Sequence, residues 1–373
     1  MPDVPAAAPH PRSAALRVAV WVGGISLLLR LLVPSTVMEA VYSRGIFPIV
    51  RTVWDGTLGR LPFPLFYVCW IGLLLGLLAM AGYVRRQRKQ RVRKRVIFWL
   101  SGRRVLIAAL WLITAFLWGW GYNYGRVPVE DRLAFTTYEP PLDVLRERVF
   151  TGAEELRTLR REITRDTYAL AAAHFPVDLE AAVRPLLSAA LRRHGYPAPG
   201  MPRAWSLYPK GILLRLSTAG VYWPWAGQGN IDAGLHILQR PAVMAHELAH
   251  AYGFGDEGSC SFWAYLCAAE SSDPAVRYAL LLGYWRHLAG DLRYADPEAY
   301  LTWRTAQLDA GIRNDLQAIY ANGERYQDIA PVLRDATYTA YLKAQGIHEG
   351  LLNYGRVVRL VEGYRRAASA PAE

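Results

Sequence analysis

Three long apolar stretches near the N-terminus dominate the hydropathy pattern. They run from about Leu16 to Val33, from about Leu61 to Val84 and from about Val105 to Tyr122, and the last two contain no charged residue. Each is close to the ~20 residues that an α-helix needs to cross a bilayer. The pattern predicts a membrane domain with three transmembrane helices over residues 14–124, followed by an extracytoplasmic domain over residues 125–373.

After the apolar stretches the pattern becomes mixed. Helical periodicity covers Leu142–Arg165 and Leu179–His194, whereas Ile212–Leu216, Gly220–Trp225 and Asn230–Ala233 are typical of short strands. The chain then returns to helical periodicity in the following segments: Val243–Tyr252, Glu257–Ala269, Pro274–Leu288, Pro297–Tyr320, Val332–Ala344 and Leu351–Ala367. This order predicts a mainly α fold with a small β-sheet, of the α+β class, behind the transmembrane helices.

Charge sets the expected orientation in the membrane. The chain has 373 residues and a formal net charge of +12, and the connection between the second and third apolar stretches, Arg85–Arg95, contains no acid. The positive-inside rule places this connection and the N-terminus in the cytoplasm, so that the domain after Tyr124 lies outside it. A short basic connection between two spans is explained by topology and by anionic lipid headgroups, so we expect a lipid bilayer and no nucleic acid as partner.

The strongest candidate chemistry is the motif His246-Glu247-Leu248-Ala249-His250. It reads H-E-x-x-H within the apolar segment Val243–Tyr252, and positions i and i+4 of a helix lie on one face. Two imidazoles at this spacing can bind one Zn²⁺, while Glu247 can reach a water that the metal activates. The alternative is an amphipathic core helix with two hydrogen-bonded histidines.

Three acids compete to be the third protein ligand of a catalytic zinc. Asp256 completes H-E-x-x-H-x-x-G-x-x-D, Glu257 opens the next helix, and Glu270 lies twenty residues after His250. Asp256 is also well placed to cap that helix through its carboxylate, and Glu270 precedes a helix end. These considerations favour Glu257 over Asp256 and Glu270. Cys260 and Cys267 lie too far apart along one helix, ~10 Å, to form a disulfide.

A local resemblance supports Glu257. The segment Glu257-x-x-Cys260-Ser261 resembles the E-x-x-A-D motif of membrane-bound gluzincin metallopeptidases. That resemblance implies that Glu257 is the third ligand, together with His246 and His250. The aspartate of the motif supports a ligand histidine, and Ser261 replaces it here, which weakens the expected support.

A wider resemblance covers nearly the whole chain. The segments Tyr122–Arg126, His246–Phe254, Asp273–Tyr278 and Asn353–Val358 resemble a family of uncharacterised bacterial membrane proteins. The resemblance implies three N-terminal spans, a zincin-like outer domain and a multi-pass location in the bacterial plasma (inner) membrane. In that family the residues after the motif read E-x-E-A-N, and only the first Glu is kept at position 257.

Together these features predict a membrane-anchored zinc metallopeptidase with Glu247 as its catalytic base and a peptide or protein as substrate. Tyr354 and Arg356 are candidates for contacting substrate or an oxyanion, although helix packing with one surface arginine is the favoured interpretation. His287 is a further candidate, but we expect it to be a surface or hydrogen-bonded histidine. The hairpin Tyr222–Ile231 is the candidate for binding substrate backbone along a strand edge. The alternatives are a catalytically degenerate zinc-binding scaffold and a lipid-handling or transport protein.

Overall fold

The computed structural model describes residues 11–369, so residues 370–373 of the predicted outer domain lie outside the described chain. The described part is mainly helical with a small three-stranded sheet, which confirms the predicted fold class. The helices of its N-terminal part are α1 (Pro11–Leu32), α2 (Ser35–Val37), α3 (Phe47–Gly56), α4 (Leu65–Lys89) and α5 (Lys94–Gly119).

Helices α1, α4 and α5 are long and apolar enough to cross a membrane, as the three hydropathic stretches predict. Within their most apolar windows only 17%, 11% and 6% of the residues, respectively, are buried by the rest of the protein. Apolar faces that are this exposed are stable in a hydrocarbon environment rather than in water. The three helices therefore indicate a membrane protein.

The basic connection between α4 and α5 differs from the expected open loop. Helix α4 continues to Lys89 and α5 already begins at Lys94 instead of Val105, so most of the arginines lie on helical turns. Arginine and lysine are good helix formers, and their long side chains reach water from the end of an apolar helix. Arg104 instead turns back and stacks over the ring of Tyr83, 3.5 Å from its centroid.

A helical segment between α1 and α4 was not predicted. Helix α2 continues directly through a π-helix, Met38–Ile46, into α3. Its apolar side chains share one cluster with residues at the end of α5 and just after it, namely Met38, Tyr42, Phe47, Leu117, Trp120 and Tyr122. Wider π-helical turns shift the positions that share a face, and buried Glu39, Arg51 and Asp55 interrupt the apolar pattern, which hid this segment from periodicity analysis.

The helices after α5 surround one continuous apolar core. They are α6 (Val129–Arg132), α7 (Leu142–Ile163), α8 (Leu179–Arg193), α9 (Arg240–Ala251), α10 (Glu257–Leu266), α11 (Pro274–Ala295), α12 (Pro297–Ala306), α13 (Ala310–Glu324), α14 (Pro331–Ala344) and α15 (Arg356–Ser369). Helix α7 lies along α11, and the indole of Trp285 donates a 2.9 Å hydrogen bond to the carbonyl of Val149 between them.

The sheet contains β1 (Ala204–Leu207), β2 (Gly220–Trp223) and β3 (Gln228–Asp232), in the order β1-β3-β2. Strand β3 is parallel to β1 and antiparallel to β2, and all its residues are buried. The carboxylate of Asp232 at its end accepts hydrogen bonds from the backbone N–H groups of Gly211, Leu213, Leu214 and Gly234. Asp232 thereby fixes the turns on either side of the sheet, while one edge of β2 has no partner strand among the described residues.

Two predicted elements were wrong. Ile212–Leu216 is a turn that ends in a 3₁₀-helix, Leu214–Leu216, because the Asp232 carboxylate takes the N–H groups that a strand would pair. The predicted single helix Pro297–Tyr320 is broken into α12 and α13, because Asp309 caps the second helix through the N–H groups of Gly311 and Ile312. The strand β1 was not predicted from its four residues.

Candidate metal centre

The H-E-x-x-H motif lies on α9, and a tight reversal returns the chain to the same helix face. Helix α9 ends at Ala251, and Gly253 follows with φ of +90°, a conformation that favours glycine. A Cβ at Gly253 would also lie 2.9 Å from Asn123 and from Phe47. Asp256 then caps α10 by accepting a 2.7 Å hydrogen bond from the N–H of Ser259. This reversal places Glu257, the first residue of α10, opposite both histidines.

Three side-chain atoms converge at one point of this face. Oε2 of Glu257 lies 3.0 Å from Nε2 of His246 and 3.3 Å from Nε2 of His250, and the two Nε2 atoms are 3.2 Å apart. For metal bonds of about 2.0–2.1 Å, a tetrahedron separates neighbouring ligand atoms by about 3.3–3.4 Å. The triangle therefore matches one face of a tetrahedral site.

The backbone determines which nitrogen of His250 faces this point. Nδ1 of His250 lies 2.7 Å from the carbonyl oxygen of Phe254, and a carbonyl oxygen only accepts hydrogen bonds. Nδ1 therefore carries a proton, and Nε2 is the nitrogen that faces His246 and Glu257 and can bind a metal. Nδ1 of His246 is 3.0 Å from the hydroxyl of Ser261, so the serine occupies the supporting position that an aspartate has in the resembling motif. Two imidazole nitrogens and a carboxylate oxygen at these distances share protons or hold a metal ion between them.

Glu257 is almost fully buried, with 2% of its surface exposed. Its second oxygen, Oε1, accepts a 2.7 Å hydrogen bond from the hydroxyl of Tyr338. Burial opposes ionisation, but the attraction of His250 and hydrogen bonds from both imidazoles outweigh it, so the pKa of Glu257 lies well below its usual range. The centre thus contains an ionised carboxylate that contacts the side chains of His246, His250 and Tyr338.

Glu247 is not one of the three converging residues and packs against the sheet. A Cβ at Gly220 would lie 2.6 Å from Oε1 of Glu247, and one at Gly229 would lie 2.8 Å from its Cβ. The two strand glycines therefore create the space that Glu247 occupies. Its Oε2 is buried with no hydrogen-bond partner in the described part of the chain, and burial raises the pKa of Glu247 to about 8. A carboxyl group held in this way can exchange a proton near neutral pH.

The other candidate acids have different partners. Asp256 accepts hydrogen bonds from Ser259, Asn353 and Arg356, which occupy its carboxylate. Glu270 forms an ion pair of 2.8 Å with Arg193.

The two candidates for substrate contact differ in position. Arg356 is held between Asp256 and Glu130 and does not line the large cavity described below. Tyr354 does line it, and its ring stacks on His246 with centroids 6.0 Å apart and planes at 9°. Among the two, only Tyr354 faces the space next to the histidines.

Cys260 is a neighbour of the centre that sequence reasoning missed. Its Sγ lies 3.3 Å from Nδ1 of His250 and 3.5 Å from the Phe254 carbonyl, and it forms a group with His246 and His250 that could hold a metal. However, it lies on the Nδ1 side of the His250 ring, away from the shared point. Burial raises the pKa of Cys260 to about 12, so it is a thiol at neutral pH and a poorer ligand than Glu257. Cys260 lies one helical turn after Glu257 on α10, and this spacing could have indicated that both side chains face the same centre.

The unpredicted N-terminal cluster also contacts the centre. The indole Nε1 of Trp120, the residue after α5, donates a 2.7 Å hydrogen bond to the carbonyl of His250. The ring of Tyr222 on β2 stacks near His250, with centroids 6.3 Å apart. Arg126 pairs with Glu39 and donates to the carbonyl of Gly253 at 3.0 Å. The motif helix is thus fixed by residues that adjoin the apolar helices.

A cavity of about 950 Å³ opens beside the centre. His246, Glu247 and Ser261 form one part of its wall, and Gly220 and Val221 of β2 form another. Helix α11 contributes His287, which was expected to be purely structural. The volume is at the upper end of the range of about 300–1,000 Å³ that ligand sites occupy.

Comparison with known proteins identifies the family. The family described as "Protein of unknown function (DUF3810)" matches residues 42–361. The chain belongs to this family. The DUF3810 match includes α4, α5, the sheet and every residue of the candidate centre, and it begins after α1. No curated protein and no solved structure is significantly similar to the chain.

Proposed function

We propose that this DUF3810 protein is a membrane-anchored zinc metallopeptidase of the zincin type, with His246, His250 and Glu257 as the zinc ligands. The observation that carries the proposal is the triangle formed by Nε2 of His246, Nε2 of His250 and Oε2 of Glu257, which lie no more than 3.3 Å apart. The other ring nitrogen of His250 is hydrogen-bonded to the Phe254 carbonyl, which orients the ring. Two imidazoles and one carboxylate form the ligand set of catalytic zinc sites that leave a fourth position open.

Bound zinc would supply Lewis acidity, polarising the scissile carbonyl and making water a stronger nucleophile. Glu247 is next to His246 in sequence but contributes no atom to the triangle. Its unpartnered oxygen takes a proton from the attacking water and then donates it to the leaving amine. A bare structural metal site has no need of a buried carboxyl group with a free oxygen at this position.

Strand β2 is the proposed binding edge for the substrate backbone. It pairs with β3 along one side only, and Gly220 and Val221 also line the cavity next to Glu247. A peptide that adds to this edge as a strand would run past the catalytic base. The strand residues that line the cavity therefore lie just before the candidate hairpin Tyr222–Ile231, none of whose residues lines it.

The proposed location is the bacterial plasma membrane, with the N-terminus in the cytoplasm and the catalytic part outside it. The support is the acid-free turn between α4 and α5, which the positive-inside rule assigns to the cytoplasm, and the odd number of long apolar helices within residues 11–369. The expected partners are the lipid bilayer and a peptide or protein substrate, without nucleic acid.

Metal content and turnover of the purified full-length protein test this function. We expect one zinc per chain in the wild type, loss of zinc in His246→Ala and in Glu257→Ala, and retention of zinc in His174→Ala, which changes an exposed histidine. Glu247→Gln is expected to keep the zinc and to remove cleavage of a peptide library, because an amide cannot accept the proton. Unchanged zinc in Glu257→Ala, or undiminished cleavage in Glu247→Gln, would contradict the proposal. Zinc without any cleavage in the wild type would favour a non-catalytic scaffold.

A further inference from the structure

The cavity beside the centre is mainly apolar but is not uniformly so. Its apolar wall is contributed by several helices and includes the following side chains: Leu238, Val243, Leu280, Leu282, Ile319 and Leu351. The same cavity is also lined by Arg286 of α11, one residue from His287. A guanidinium in the wall of an apolar cavity is costly unless an anion accompanies it.

Arg286 differs from the other cationic side chain in this wall. Arg334 forms ion pairs with Asp328 and Asp335. Arg286 is half-buried and forms no ion pair or hydrogen bond within residues 11–369. Burial lowers the pKa of His287 to about 4, helped by repulsion from Arg286 and His246, so this imidazole is neutral at pH 7. Arg286 is therefore the cavity cation that is left to attract an anion from outside the chain.

On this basis we infer that the cavity binds the carboxy-terminal end of a peptide, with an apolar side chain against its wall and the terminal carboxylate on Arg286. The inference rests on the proposed function, because it makes the same centre act on bonds close to a free C-terminus. A planar guanidinium matches a carboxylate through two parallel hydrogen bonds, and apolar surface stabilises the side chain beside it.

A peptide fits the position of the cavity better than a membrane lipid does. Gly220 and Val221 connect the cavity to the free edge of β2, and Glu247 lies at the same wall. The residues that line the cavity all lie between Leu216 and Val357 in chain order, so α1, α4 and α5 do not contribute to it. A lipid that entered from the bilayer would be expected to pass along those apolar helices.

Binding can be measured without turnover in the zinc-loaded, full-length Glu247→Gln protein. The probes are benzyloxycarbonyl-glycyl-leucine, its carboxamide and oleate, titrated by calorimetry in detergent. We expect the acid to bind about 10- to 100-fold more tightly than the amide, since a hydrogen bond to a charged group contributes about 1.5–3 kcal/mol. Adding Arg286→Gln should abolish this ratio, Arg286→Lys should keep part of it, and Arg293→Gln, at an exposed position of the same helix, should leave it unchanged.

Each outcome decides between the possibilities. Equal binding of acid and amide, or a ratio that survives Arg286→Gln with unchanged thermal unfolding, would overturn the inference while zinc stoichiometry remained intact. Oleate that binds more tightly than the acid and depends on Arg286 would assign the cavity to a lipid instead, which also overturns it. Acid-selective binding without any cleavage by the wild type would support the inference and count against the peptidase. The failure of the inference can therefore be told apart from the failure of the proposed function.

Discussion

The hydroxyl of Tyr338 on α14 donates a 2.7 Å hydrogen bond to Oε1 of Glu257, the oxygen that does not face the histidines. The carboxylate of this proposed zinc ligand is therefore oriented by a helix some eighty residues later in the chain. Outer partners of this kind hold a ligand in position and affect how tightly a metal binds.

Tyr338→Phe is expected to weaken zinc binding by about 10- to 100-fold, because it leaves Oε1 of Glu257 buried without its donor. Competition with a chromophoric chelator would measure this. Tyr341→Phe is the matched control, since the hydroxyl of Tyr341 contacts Tyr124 and not Glu257. Equal affinity in the two variants would show that Tyr338 does not support the ligand.

Gly220→Ala is expected to lower peptide cleavage by about 100-fold and to destabilise the fold by about 1–3 kcal/mol, with zinc retained. The new Cβ would lie 2.6 Å from Oε1 of Glu247 and 2.9 Å from the carbonyl of Asn230, so the carboxyl group of the proposed base must move. Gly290→Ala on α11 is the control, because no described atom apart from its own stretch of helix lies within 4 Å of its Cβ position. Thermal unfolding and cleavage that match in both variants would exclude a special role for Gly220.

Substitutions at Ser261 test how His246 is supported. Ser261→Ala removes the hydroxyl 3.0 Å from Nδ1 of His246 and should weaken zinc binding by about tenfold, whereas Ser261→Thr keeps a hydroxyl and should stay close to the wild type. Ser261→Asp is expected to tighten binding, because a carboxylate makes the imidazole a stronger donor of electrons. Tighter zinc binding by Ser261→Ala than by the wild type would show that the Ser261 hydroxyl weakens the binding of zinc.

The membrane orientation can be tested with reporters. A reporter that is active only in the exported compartment should work when fused after Glu373 and fail when inserted after Gln90, in the turn between α4 and α5. A cytoplasm-only reporter should give the opposite result at both positions. Cytoplasmic activity at the C-terminal fusion would reverse the orientation and remove the exported substrates from consideration.

Local patterns in the sequence predicted those features that depend on neighbouring residues. The three apolar helices, the motif helix α9 and the cap at Asp256 follow from hydropathy, helical spacing and the preference of aspartate for a helix start. The convergence of Glu257 on His246 and His250 depends on a reversal of only a few residues, so the position of Glu257 in the sequence was enough to make it a candidate ligand.

Features that join distant parts of the chain were out of reach. Tyr338 meets Glu257 through the packing of α14, and Trp120 meets His250 across a sequence separation of 130 residues. Neither residue has a local pattern that marks it. The π-helical segment Met38–Ile46 was missed because its turns do not follow the period of 3.6 residues. Arg286 looks like an ordinary helix residue until the cavity around it is known.

The hydrogen bond from Trp120 to the carbonyl of His250 ties the candidate centre to the end of an apolar helix. Trp120 follows directly on the end of α5, so the centre stands at the surface of any bilayer that α5 crosses. A fragment cut after Tyr124 would lose this donor together with the aromatic support around it, and a soluble version of the protein therefore needs residues from both sides of that cut. For the proposed peptidase, we expect this anchoring to favour substrate chains that emerge from the membrane or lie along it over chains that diffuse freely.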